Sequence, residues 1–191
     1  MRYSPEHKAE THRKIVQDAS RRIRGEGITG AAVAAVMRDA GMTHGGFYKH
    51  FKSKDELLVE SVGAAFEEIG DRLAEAGAQS KPGKAWKAIV KTYLSLEFCD
   101  RIEHGCPLPA LAPELARADT AIRPQIFEEL KKYRDRMIPF MPGERMEDKE
   151  SAFFCIFSTM AGAIEIARML PKPAMREKVL GSAREFLLRS F

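Results

Sequence analysis

The stretch Ala31–Leu58, AAVAAVMRDAGMTHGGFYKHFKSKDELL, decides the fold. Val33, Val36 and Met37 recur at helical spacing over Ala31–Ala40, and Gly41 breaks that short helix. Thr43 is placed to cap a third helix running to about His50, although Gly45 and Gly46 each weaken it by roughly 1 kcal/mol. Phe47 and Phe51 lie four apart and anchor that helix to a core. Ser53-Lys54-Asp55-Glu56 is a capping box that opens a long helix through Leu57, Leu58, Val62, Phe66, Ile69 and Leu73. Upstream, Ile15, Ala19 and Ile23 recur every four residues until Gly25 and Gly27 stop the first helix. Two short helices around a glycine turn make a helix-turn-helix, whose second helix enters the major groove of DNA by its N-terminal residues. An αα-corner with a loose, glycine-rich helix has the same spacing.

Downstream of Leu73 the pattern stays helical, and no segment alternates as a strand does. Gly77–Gly83 is a linker. Gly83–Arg101 reads as one helix, with Trp86, Ile89, Val90, Tyr93, Leu94 and Phe98 apolar. Pro107 opens a short helix, as proline does at a first helical position. Asp119 caps a helix over about Thr120–Met137, and Pro139, Pro142 and Gly143 end it. Arg145–Leu170 and Arg176–Phe191 complete an all-α chain of nine helices. Over Ser151–Arg168 one apolar face is Phe153, Ile156, Met160, Ile164 and Ala167, and a second is Cys155, Thr159, Gly162, Ile166 and Met169. A helix apolar on two sides has two partners. A second copy of the chain, meeting Cys155, Thr159, Gly162, Ile166, Ala183 and Leu187, is the simplest outer partner; a fully internal helix is the alternative.

The composition (191 residues, 45% hydrophobic, 30% charged) is that of an ordinary globular chain and excludes disorder and fibrous classes. Its longest charge-free run, Ser151–Ile164, falls short of the roughly 20 apolar residues of a membrane span, and no membrane partner is expected. The polar N-terminus MRYSPEHKAETHRK lacks the apolar core of a signal peptide. Three cysteines are too few for a disulfide framework, so a cytoplasmic location is expected. Charge is unevenly spread. Residues 1–54 hold eleven Lys and Arg against five Asp and Glu, while the rest hold 20 against 22. A basic head on a near-neutral body points to a polyanion, against the plainer reading of a solvated basic face. An enzyme is the rival class. The sequence lacks a Gly-x-Ser-x-Gly elbow, a phosphate loop, Glu-x-x-His pairs and Cys-x-x-Cys spacing, so no catalytic residue, metal site or cofactor is expected.

Gly41–Leu58 resembles the signature of the tetracycline-repressor (TetR) family: Gly41, Thr43, Gly45, Tyr48, His50, Phe51, Lys54 and Leu57 all match, as does Gly27. The resemblance covers about residues 10–60. Met37 and Ala31 depart from it, where a small alanine and a Thr or Ser are usual. The resemblance implies a nine-helix homodimeric regulator, usually a repressor, with a helix-turn-helix domain at 1–53 and an effector-binding and dimerisation domain at 54–191. It implies that Thr43, His44 and Gly46 face bases of a palindromic double-stranded operator, that Tyr48 and His50 contact phosphates, and that Lys54 contacts the backbone. Gly45 and Gly46 allow close approach, and charge and position add Lys49. A helical ligand-binding protein with a vestigial head is the alternative.

The body is expected to take a small-molecule effector of apolar or weakly polar character. Trp86, Tyr93, Phe98, Leu108, Leu111, Phe127, Tyr133, Phe153 and Phe157 are candidates for a cavity lining, or for plain core. Cys106 stands at the N-cap before Pro107, where unpaired N–H groups favour a thiolate; Arg101 and His104 add positive potential and Glu103 opposes it. Its Gly-Cys setting also resembles family members that sense oxidants or electrophiles, so a regulator acting through Cys106 is a second reading. A small buried residue filling a gap is the other.

Overall fold

The structure, a computed structural model, describes residues 5–191, the Ala31 side chain apart; Met1–Ser4 of the expected head and the consequence of Ala31 for DNA contact lie outside the described residues. Nine α-helices are present among the described residues and no strand. They are α1 (Pro5–Glu26), α2 (Val33–Asp39), α3 (Lys54–Ala78), α4 (Ala85–Tyr93), α5 (Leu96–Asp100), α6 (Pro107–Ala116), α7 (Arg123–Met137), α8 (Met146–Arg168) and α9 (Pro173–Ser190).

The helices are built as the sequence implies in most places. At α3, Ser53 Oγ accepts from Glu56 N at 3.1 Å, and Glu56 reaches back to accept from the Lys52 backbone N–H. At α6, Pro107 takes the first turn and Cys106 is the N-cap. Three expectations change. His44–Lys49 is a 3₁₀ turn, not an α-helix, and Thr43 gives it no side-chain cap; six residues with two adjacent glycines cannot sustain α-helical bonding. Gly83–Arg101 is two helices, because Leu94 leaves helical geometry and Ser95 caps a new start through Phe98 N at 3.2 Å. Asp119 closes a turn onto Ala121 N at 2.8 Å, and α7 begins only at Arg123 with Pro124 in its first turn.

Two apolar cores share the long helices. The smaller gathers Ile15, Val16, Ala19, Val33, Val36, Met37, Phe47, Phe51 and Leu57. The larger begins one turn further along α1, at Ile23, and directly after Leu57 on α3, at Leu58 and Val59, and fills the space among α3–α9. The head is therefore mounted on the body by two continuous helices rather than by a linker. Within the body, α7 turns Tyr133 and Met137 inward, and α8 turns in Phe153, Ile156, Phe157, Met160 and Ile164. By length and composition α8 is long and apolar enough to cross a membrane, which the charge-free run alone did not suggest; its inner face is spent on the protein's own core.

Candidate nucleic-acid interface and effector core

The head leaves a run of polar residues at its glycine turn exposed. Gly41, with φ +72°, makes the turn between α2 and the 3₁₀ segment, a conformation that favours glycine. Arg22 ties α1 to both sides of this unit: its guanidinium donates to Gly30 O at 2.9 Å and to Asp39 Oδ2 at 2.5 Å. Phe47 and Phe51 are buried and stacked at 5.3 Å, and His12 stacks on Phe51 at 4.5 Å while pairing with Glu60 at 2.6 Å. With these rings turned in, Thr43, His44, Gly45, Lys49 and Lys54 are left exposed, and Tyr48 is 70% exposed. A Cβ at Gly45 would meet nothing within 4 Å, so the bulk it lacks is missing on the open side.

Gly46 departs from the expected base-facing set. It is buried, and a Cβ there would sit 3.4–3.5 Å from the Met42 and Met37 methyls. The large Met37 noted as a departure from the family thus fills the space under the recognition turn. His50 is half-buried, and its Nδ1 is buried without a hydrogen-bond partner. Burial first, then the charges of His12, Lys8 and Lys49, hold its pKa below the ordinary histidine value. Lys8 is a residue that sequence reasoning missed; the only sign of it was basic charge on the first turn of α1.

Where head meets body, Arg24 of α1 has a fully buried side chain. It donates to Ser20 O (3.1 Å), to Gly105 O (3.0 Å) and to Glu68 Oε2 (2.6 Å). The other carboxylate oxygen of Glu68 meets His104 Nδ1 at 2.7 Å. Burial raises the Glu68 pKa, but bonding to Arg24 and His104 outweighs it, and the carboxyl ends below its ordinary value. A second tie runs from Glu114 of α6, which accepts from Ile28 N at 3.0 Å.

Of the expected effector residues, Trp86, Tyr93, Phe98, Cys106, Leu111 and Phe157 are all buried in the body core. Phe127 is not: it is 55% exposed, because Ile126, Leu130, Tyr133 and Met137 form the inward face of α7 and Phe127 falls one position off it. The thiolate expected at Cys106 is corrected as well. Burial pushes its pKa up to about 11, outweighing Tyr93, the Leu108 N–H, Arg168 and Arg24, so the thiol is protonated. Tyr93 and Tyr133 are likewise raised well above the ordinary tyrosine value by burial. A surface groove of about 470 Å³ between α3 and α7, lined by Gly63, Phe66, Glu129 and Arg136 among others, reaches this core at Tyr133. No group of three or more His, Cys, Asp or Glu placed to hold a metal occurs among the described residues.

The second face of α8 lies open. Cys155 and Ile166 are exposed, Thr159 and Gly162 half-exposed, and nothing lies within 4 Å of a Cβ at Gly162. Met169, named on this face from the sequence, is exposed too, as are Phe154 and, on α9, Phe186, which were not among the expected contacts. Leu187 leaves it: it is 1% exposed, one helical face away with Leu180 in the protomer's own core, and Ala183 sits half-buried at that core's edge.

The family model described as "Bacterial regulatory proteins, tetR family" matches residues 15–60, which hold α1 from Ile15 through the first turns of α3. The chain is 27% identical over 127 residues to the HTH-type transcriptional regulator LmrA of Bacillus subtilis (strain 168), covering 65% of this chain and 67% of that protein. The crystal structure of a TetR transcriptional regulator from Chloroflexus aurantiacus has the same fold, with a TM-score of 0.76 at 22% identity over 96% of both chains. FadR from Bacillus subtilis, solved in complex with stearoyl-CoA, aligns with a TM-score of 0.68 at 19% identity, over 92% of this chain and 96% of that one. Proteins of this family bind DNA operators, typically as dimers and repressors, and take small-molecule effectors. Signature, head geometry and relatives agree: residues 15–60 form a DNA-binding domain of the tetR family of bacterial regulatory proteins, and the chain is a transcriptional regulator with that domain at its N-terminal end.

Proposed function

We propose that the protein is a homodimeric repressor that leaves a palindromic operator when a small molecule occupies the body. Residues 1–53 form the DNA-binding domain and 54–191 the effector and dimerisation domain. In this reading Thr43 and His44 read bases, Gly45 permits close approach, Tyr48, Lys49 and His50 meet phosphates, and Lys54 meets the backbone at the start of α3. The observation that carries the reading is the exposed row Thr43, His44, Gly45, Tyr48 and Lys49, held outward by the buried Phe47 and Phe51. Two such rows on a symmetric dimer would match a palindrome whose half-sites lie a helical turn or a multiple apart. The open face of Cys155, Thr159, Gly162, Ile166, Met169 and Phe186 supports the dimer, since contiguous exposed apolar surface of this kind marks association sites. The expected cytoplasmic location follows from the same reading, DNA being the partner.

Sedimentation with and without an operator duplex tests it. The wild-type chain should run as a dimer and place two protomers, or a multiple, on the duplex. Ile166→Arg should give folded monomers that lose most operator affinity, because a buried unpaired charge at a seam is costly. A wild-type chain that is monomeric at micromolar concentration, both free and on DNA, would overturn the proposal.

A further inference from the structure

Four buried polar atoms in the body have no hydrogen-bond partner, Tyr93 Oη, Tyr133 Oη, Arg168 Nη2 and Arg176 Nε, although the weakly bonding Cys106 thiol lies against the first of them. Leaving a buried donor unsatisfied is costly, so such groups in a core that is otherwise apolar call for a physical reason. The two phenols and Arg168 belong to one neighbourhood. Tyr93 bears on Tyr133, on the Cys106 thiol and on Arg168, and Arg168 bears on Cys106. Phe157 lies between the two phenols, with its ring edge-on to Tyr133 at 5.5 Å and to Tyr93 at 6.1 Å, and Phe98 stacks on Tyr93 at 4.4 Å. Arg168 donates through Nε to Cys99 O at 3.0 Å. It makes no ion pair within 4 Å among the described residues, and the nearby Asp100 is bonded to Arg176 instead.

The chemistry of a matching ligand follows. Both phenols stay protonated and offer O–H donors, and the guanidinium offers N–H and a positive charge. A neutral acceptor would satisfy the donors and leave the cation uncompensated in a low-dielectric site; an anion satisfies both. The surrounding Phe98, Phe157 and Leu111 require the remainder of the ligand to be apolar. Tyr133 also lines the α3–α7 groove, with Phe66 and the charged Glu60, Glu67, Glu129, Lys132 and Arg136; Tyr93 and Arg168 do not, so the groove is an approach to the site and not the site itself.

We propose that the body core binds a small apolar molecule bearing one carboxylate, which accepts from Arg168 and from the hydroxyls of Tyr93 and Tyr133 and enters beside Tyr133 from the groove between α3 and α7. This deepens the effector reading above and rests on it for its regulatory meaning. The link to the head is short. The Arg168 guanidinium packs against Gly105, where a Cβ would lie 3.0 Å from Nη2, and Gly105 O accepts from Arg24 Nη1 of α1 at 3.0 Å. A carboxylate that draws Arg168 toward itself moves the support on which Gly105 rests, and Arg24 carries that change into α1.

The test uses the purified full-length protein and two pairs of probes, 3-phenylpropionate against 3-phenylpropanamide and hexanoate against hexanamide, followed by calorimetric titration and thermal melting. The acids should bind and raise Tm, and the amides should bind about tenfold or more weakly. Arg168→Gln should weaken acid binding by about ten- to a hundredfold and remove the preference over amides. Tyr133→Phe, which keeps ring and packing, should weaken it several-fold, giving a readout even where Arg168→Gln folds poorly. Arg101→Gln, an exposed neighbour, should leave binding unchanged. Equal binding of acid and amide, no binding of any probe at millimolar concentration, or acid binding undiminished in Tyr133→Phe would overturn the site. Acids that bind as described but leave operator complexes intact would uphold the site and refute the effector reading.

Discussion

Tyr48 and Lys54 are both exposed and differ in chemistry, and this difference is measurable. Lys54 is exposed in the first turn of α3, and a lysine on a phosphate displaces a condensed counterion. Lys54→Ala should lower operator affinity and flatten the log–log salt dependence by about 0.9 per lost contact, hence about 1.8 for a dimer. Tyr48→Phe removes a neutral donor, so affinity should fall by about 0.5–1.5 kcal/mol with the slope unchanged. Binding isotherms across a salt series separate the two; identical slopes in wild type and Lys54→Ala would remove that residue from the DNA contacts. At this scale the sequence was legible where a residue type has one use. Phe47 and Phe51 were read as anchors, and they are buried. It was not legible where one helical position decides between inside and outside. Gly46, Phe127 and Leu187 each lie within one residue of a neighbour with the opposite fate, and spacing near 3.6 does not resolve such a step. Cys106 failed for another reason. Its N-cap position was correct, but complete burial outweighs the local field of a helix end.

At the level of elements, α1, α3 and the segment Ile102–Pro107 are joined by Arg24, Glu68 and His104. Glu68 has a folded pKa below its unfolded value of about 4.3, so its contribution to stability is complete above that value and is lost as pH falls through the folded pKa. Glu68→Gln should therefore destabilise at neutral pH. Breaking a buried pair costs about 3–5 kcal/mol, but Glu68 is 43% exposed in its side chain, which reduces the expectation to about 1–2 kcal/mol. The difference from wild type should shrink as pH falls below about 4. Denaturant melts at neutral and acid pH check this; a difference that grows on acidification would show that Glu68 is not the ionised partner of Arg24. None of this junction was visible in the sequence, since Arg24, Glu68 and Gly105 are far apart along the chain. The helices themselves were legible because caps and breakers act locally: Ser53, Gly41 and Pro107 each do what their type does. The break at Leu94–Ser95 was missed, because a serine cap inside an unbroken apolar pattern looks like one more helical residue.

At the scale of the molecule, two cores share α1 and α3, so a change in the body that tilts either helix reorients the head as a unit. The fold class was legible because the chain has helical periodicity throughout, and the DNA-binding signature is compact enough to be contiguous. The proposed effector core is assembled from α4, α5, α6, α7 and α8, whose contacts no local pattern encodes. The central claim is that the face built on Phe47 and Phe51 recognises DNA sequence. Selection of duplexes from a randomised library by the purified protein, repeated with His44→Ala, tests it most directly. The account predicts enrichment of one inverted repeat by the wild-type chain and a changed base preference in His44→Ala at symmetric positions of both half-sites. Failure of the wild-type chain to enrich any sequence, or enrichment of the same site with the same preference by both proteins, would contradict it.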